Sequence, residues 1–159
     1  KINLNTNYLN NIGSTWSNMI ENTTWKVSGH TTSEVTPKVM YTAEITNATK
    51  TYGPSNGTSK IGLMYVSDFG YAANPSAWAT IFNGNFDNLS ESSVNWIYMG
   101  IGEWTISPDF SDSSGVLSLS NFMLLNRKES SAALSIRPVF YLKSYVAYKS
   151  VTGTSSAPH

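Results

Sequence analysis

The sequence predicts an α+β domain, and three observations carry that reading. An amphipathic stripe of helical period opens the chain, a second, shorter helix signal lies near its middle, and the second half reads as short strands separated by turns. With 159 residues, 40% of them hydrophobic, one domain can bury a sizeable core without a metal or a disulfide.

Residues 4–21 form the helix signal, with Tyr8, Leu9, Ile12, Trp16, Met19 and Ile20 on one stripe and Asn, Ser and Thr between them. Gly13 weakens such a helix by about 1 kcal/mol relative to Ala, so packing of the stripe must hold it. The division expected is an N-terminal helix over 1–22, a helix-plus-sheet core over 23–145 and a C-terminal extension over 146–159. Asn22-Thr23-Thr24 stops the helix, and Trp25-Lys26-Val27 reads as a short strand. A polar loop with His30 follows, and residues 39–45 suit a strand or a short helix equally. Gly53-Pro54 and Asn56-Gly57 mark residues 46–59 as a loop. The apolar run 61–66 predicts a buried strand. Asn74 and Pro75 then suit the N-cap and first position of a short helix over 76–82. Beyond the polar loop 83–93, strands are expected over 96–99, 104–107, 116–120, 122–125 and 134–143, with turns at 100–102, 112–115 and 126–131.

Only 13% of the residues are charged, about half the usual share. Ser, Thr and Asn replace them in runs such as Asn3-Leu4-Asn5-Thr6-Asn7 and Ser111-Asp112-Ser113-Ser114. Neutral hydrogen-bonding side chains of this kind suit turns and strand faces and point to a protein that works outside the cytoplasm. Ten basic residues balance ten acidic ones, and no basic run is interleaved with aromatics, which argues against a nucleic-acid partner. The absence of cysteine excludes a disulfide scaffold, a thiol nucleophile and thiolate metal sites. No apolar stretch approaches the roughly 20 residues of a membrane helix, so no membrane contact is expected of these residues. Lys1 opens the chain without a signal-peptide pattern, and the expectation is that an export or anchoring segment has been removed. The Asn-x-Ser/Thr sequons at Asn22, Asn47, Asn56 and Asn88 read as surface markers.

Three segments carry a resemblance. Residues 61–73 (IGLMYVSDFGYAA), Glu103-Trp104-Thr105-Ile106-Ser107-Pro108 and Ile136-Arg137-Pro138-Val139-Phe140-Tyr141-Leu142-Lys143 resemble a family of exported Gram-positive, prepilin-like surface proteins. The opening, from Tyr8-Leu9 through Trp16-Ser17-Asn18-Met19-Ile20 to Trp25-Lys26-Val27, is similar to that family's usual start. The order of these motifs is also similar to domains of the C-type-lectin and formylglycine-generating-enzyme-like superfold. The resemblance implies a surface-borne, pilin-like ectodomain for adhesion, ligand binding or filament assembly. Its partners would be a surface glycan, a surface protein or other pilus subunits. On a lectin-like shape, recognition would fall to the polar loops between Trp104 and Asn121 and to residues 83–95, which makes Asn95, Trp104, Asp109, Asp112 and Asn121 the binding candidates.

Arg137, one of two arginines, lies inside an apolar strand and must be paired, because burying a lone charge is prohibitive. Asp68 and Glu103 are its natural partners, and a structural clamp is expected. Asp109 and Asp112 form an Asp-x-x-Asp pair that could offer oxygens to Ca²⁺. Two carboxylates with serines fall short of the roughly 6–8 ligands the ion takes, so an Asx-type turn is expected and no cofactor. His30 and His159 have no clustered partners for zinc, and no serine has a Gly-x-Ser-x-Gly context. Gly100-Ile101-Gly102 lacks the third glycine of a phosphate loop. Trp78, Trp96, Trp104, Tyr71 and Tyr98 suit a core with polar tips better than a sugar-stacking platform. The expected class is therefore binding or display, not catalysis. Its rivals are a phage-fibre or toxin receptor-binding domain and a small carbohydrate-active enzyme built on a pair chosen from Asp68, Glu103, Asp109 and Asp112.

Overall fold

A computed structural model describes residues 3–28, 36–46, 55–74, 95–109, 115–119, 125–129 and 131–146. They form helices and three small antiparallel sheets, a mixed α+β arrangement. The chain enters through a π-helical stretch, Asn3–Tyr8, that runs into α1 (Leu9–Met19). Gly13, at φ 80°, breaks the helical path in the middle of α1, so the expected helix is present but kinked where its glycine weakens it. The Asn5 side chain clasps the backbone of Ile61: its Nδ2 donates to the Ile61 carbonyl (2.8 Å) and its Oδ1 accepts from the Ile61 N–H (2.9 Å). Lys60 Nζ donates to the Ser17 carbonyl at the C-terminal end of α1 (2.5 Å), where a cation offsets the helix dipole.

Strand β1 (Thr23–Val27) pairs antiparallel with β2 (Ser55–Ser59). This corrects the loop expected over 46–59. Gly57 stands opposite Trp25 in the register, so a sequence that reads as a turn is a strand position. Thr24 and Thr58 hydrogen-bond through their hydroxyls (3.2 Å) across the same pair. The ambiguous segment resolves as α2 (Pro37–Thr46), with Pro37, Met40, Ala43 and Glu44 on its buried face.

The run 61–66 is buried as expected, apart from half-buried Leu63. It is not one strand. Only β3 (Gly62–Leu63) pairs, with β7 (Pro138–Val139). Val66 already begins α3 (Val66–Tyr71), because the Asp68 carboxylate captures the Tyr65 N–H (2.8 Å) and starts a helix there. Nor are residues 96–99 a strand. The Asn95 side-chain oxygen accepts the Ile97 N–H (3.2 Å), and the Asn95 carbonyl accepts the Tyr98 N–H (3.2 Å), which folds the segment into a turn.

Strands β4 (Glu103–Pro108), β5 (Gly115–Leu119) and β6 (Leu125–Glu129) form the largest sheet, in that order. Residues 126–129, expected to turn, are part of β6 and pair with β5. The expected long strand 134–143 is instead a strap joined at three places. Ser135 bridges to β4, Pro138–Val139 pairs with β3, and Leu142 bridges to Ile20 at the end of α1. Pro138 has no N–H to donate, which helps keep the strap from becoming a long ladder strand. The core is Met40, Met64, Val66, Phe69, Ala73, Leu117 and Leu119, with Ile97, Tyr98 and Val139 packed against it. Among the described residues no helix is long and apolar enough to cross a membrane. The helix expected over 76–82, the extension past residue 146, His30 and Trp78 lie outside the described residues.

Candidate functional site

Strand β4 is patterned against convention. Its buried phase is polar, Glu103, Thr105 and Ser107, while Trp104, Ile106 and Pro108 are half-buried on the other face. Each inward polar group has a specific partner, as burial demands. Thr105 Oγ1 donates to the Leu117 carbonyl (2.7 Å). Ser107 Oγ donates to Glu44 Oε1 (2.5 Å), which links β4 to α2.

Glu44 is 0% exposed and collects donors from two elements, β4 and the first residues of α3. Val66 N–H donates to Oε1 (3.0 Å), and Ser67 offers both its hydroxyl (2.5 Å) and its N–H (3.4 Å) to Oε2. Burial pushes the Glu44 carboxyl up to about 7 even though hydrogen bonds from Ser107 and Ser67 oppose the rise. An acid poised near neutrality beside two hydroxyls has the composition of a catalytic group. It is fully buried. The sequence reading missed Glu44 because residues 39–45 were compatible with either period. At helical spacing Glu44 follows Met40 by four residues on one face, and an acid on an apolar face was the available signal.

Arg137 pairs with Glu103 through two parallel bonds, Nε to Oε1 (3.1 Å) and Nη2 to Oε2 (2.7 Å). The pair ties the strap to β4. Asp68, the other partner considered for Arg137, serves instead as the cap of α3. Burial raises its carboxyl above the usual range, opposed by the Tyr65 N–H bond.

Asn95, a binding candidate in the sequence, is fully buried, and its Nδ2 donates to the Phe69 carbonyl (3.0 Å). Its oxygen accepts from the Ile97 N–H, so its side chain braces the backbone at both positions. Asp109 closes the mouth of the β4–β5 hairpin, its N–H donating to the Gly115 carbonyl (3.0 Å). Asp112, Asn121 and the loop 83–94 lie outside the described residues. Among the described residues no group of three or more His, Asp or Glu side chains converges as metal ligands would.

Two recesses flank Trp25. The larger, about 480 Å³, is an apolar groove walled by Trp25, Ile61, Leu63, Trp104, Ile106 and Val116. Trp104 is thus a groove wall, neither core nor loop. The smaller, about 380 Å³, is lined by Trp25, Tyr41, Tyr65, Asp68, Tyr71, Val139 and Tyr141. Buried Trp25 and Tyr65 form its inner wall, and exposed Tyr41, Tyr71 and Tyr141 its rim. Tyr41 meets Tyr65 edge to face at 6.1 Å, and Trp25 and Tyr141 lie 5.7 Å apart at 33°. Trp25 is fixed by the bond from its Nε1 to the Ser59 carbonyl (3.0 Å) and by the flat backbone of Gly62, where a Cβ would lie 2.7 Å from the indole. Burial and the neighbouring acids push the Tyr65 phenol up to about 12, so it stays a donor to the Lys26 carbonyl (2.6 Å). Among the described residues the lining of this pocket has no Lys or Arg. The tyrosines come from α2, α3 and the strap, separated by up to 100 positions, and no local motif announces their convergence. Compared with known protein families, curated proteins and solved structures, the chain matches none.

Proposed function

We propose that this chain is a non-catalytic binding and display domain of an extracellular surface, a pilin-like ectodomain used in adhesion or filament assembly. The observation that carries the reading is a separation of chemistries. Among the described residues, Glu44, the acid held by two serine hydroxyls, is sealed from solvent, whereas the open recesses present mainly aromatic and apolar walls, with Asp68 the acid of the smaller one. Such walls hold a ligand by stacking and desolvation. The low charge and the Ser, Thr and Asn surface support the extracellular placement, and the motif resemblance supports the pilin-like role. A lectin-like shape belongs to the same proposal. The antiparallel sheet and the strap that returns to the end of α1 are compatible with it.

The test is an NMR titration against a panel of glycans and amine-bearing small molecules, with turnover followed in the same samples. Reversible shifts at Tyr41, Tyr71 and Tyr141 without turnover are expected. Hydrolysis of a panel member that is lost on replacing Asp68 or Glu103 would overturn the non-catalytic reading. Antibody labelling of intact cells tests the placement: staining is expected without permeabilisation, and staining only after it would contradict the proposal.

A further inference from the structure

The pocket between α2, α3 and the strap has a composition that selects among ligand chemistries. Five aromatic side chains line it, together with one carboxylate, Asp68, and one aliphatic residue, Val139. A neutral sugar needs several converging donors and acceptors. Two of the aromatic polar tips here are already spent: Tyr65 Oη on the Lys26 carbonyl and Trp25 Nε1 on the Ser59 carbonyl. The inner wall therefore offers ring faces, and the rim adds three tyrosines and the pocket one acid. Ring faces carry negative potential and attract cations, and organic ammonium groups, whose charge is spread over methyl carbons and weakly hydrated, profit most. The volume of about 380 Å³ lies near the small end of ligand pockets, which span roughly 300–1,000 Å³.

We propose that this pocket binds a small quaternary ammonium group, free or as the terminal headgroup of a larger molecule, with Tyr41, Tyr71 and Tyr141 closing around the cation and Asp68 supplying the counter-charge. The inference rests on the binding reading above and deepens it by naming the ligand class. The raised carboxyl of Asp68 agrees with it: burial opposes the negative charge, and a cation in the pocket would favour it. The rim residues are exposed before binding, so the cation can enter without unfolding any element.

The test is calorimetric titration with choline, its neutral carbon isostere dimethylbutanol, phosphocholine and a methyl glucoside. Choline should bind with a dissociation constant in the millimolar range or tighter, and the isostere about ten-fold more weakly, since only the charge differs. Tyr41→Ala and Tyr71→Ala, both at the exposed rim, should each weaken choline about three-fold or more while leaving the melting temperature near that of the parent. Asp68→Asn should weaken it further, and the two rim variants keep the test decisive if loss of the α3 cap unfolds that protein. Phosphocholine binding as well as choline identifies a headgroup; binding of choline alone identifies the free cation. Equal binding of choline and its isostere, or affinity untouched by the rim variants, overturns the proposal. If the glucoside binds and choline does not, the ammonium assignment falls and the binding function stands. If nothing binds at the pocket, both fall together.

Discussion

Ser67 and Asp68 are neighbours in the chain and serve opposite regions of the molecule. Successive helical residues point about 100° apart, so Ser67 turns into the sealed junction with Glu44 and Ser107, while Asp68 lines the open aromatic pocket. Both regions hold a carboxyl group raised by burial. In the junction the acid accepts from the Val66 and Ser67 backbone and from two serine hydroxyls, and holds α2, β4 and the start of α3 together. In the pocket the acid is bound on one side by the Tyr65 N–H and flanked by rings, a setting ready for a counter-charge. The difference teaches that a perturbed acid marks function only where solvent can reach it.

Removing the junction acid should have the largest effect. Glu44→Ala takes the acceptor from the Ser67 N–H and two hydroxyls in the interior and leaves the Val66 N–H only Ser107 Oγ, and a loss of about 3 kcal/mol is expected in denaturant unfolding. The second break uses pH. The folded value of Glu44, about 7, lies above its usual 4.5, so the folded chain holds the proton more tightly than the unfolded one. Glu44 therefore contributes a penalty that grows as pH rises from about 4.5 and levels off above about 7, reaching a few kcal/mol. Asp68, whose charge faces Glu44, is shifted in the same direction, and Tyr65 beside them stays protonated throughout. Melting temperature should fall across that window, and Glu44→Gln should flatten the part due to Glu44.

A third, smaller effect separates the junction from the ion pair. Arg137→Ala leaves buried Glu103 without its counter-ion; about 2 kcal/mol is expected, reduced from a fully buried pair because the guanidinium is 24% exposed. Gly62→Ala should cost about 1–2 kcal/mol, because the new methyl group meets the Trp25 ring. Its diagnostic readout is a change in indole fluorescence with weakened ligand binding, since Trp25 borders both recesses.

Sequence pattern revealed the burial of residues 61–66, the strands around 25, 104 and 117, and the need of Arg137 for a carboxylate. It failed where a single side chain redirects the backbone. Asp68 starts a helix inside an apolar run, and Asn95 folds a turn where aromatic residues suggest a strand. At Gly57, a turn signal by composition, the residue is a strand position paired with Trp25. The pocket was illegible for another reason. Tyr41, Tyr65, Tyr71 and Tyr141 converge only through the packing of α2 on α3 and the return of the strap, and each reads singly as an ordinary half-buried tyrosine.

The most direct measurement is choline titration of Tyr41→Ala and Glu44→Gln in parallel with the parent. The account predicts weakened binding with parental stability for Tyr41→Ala, and parental affinity with an altered pH dependence of melting for Glu44→Gln. Binding lost in Glu44→Gln while folded, and retained in Tyr41→Ala, would contradict it.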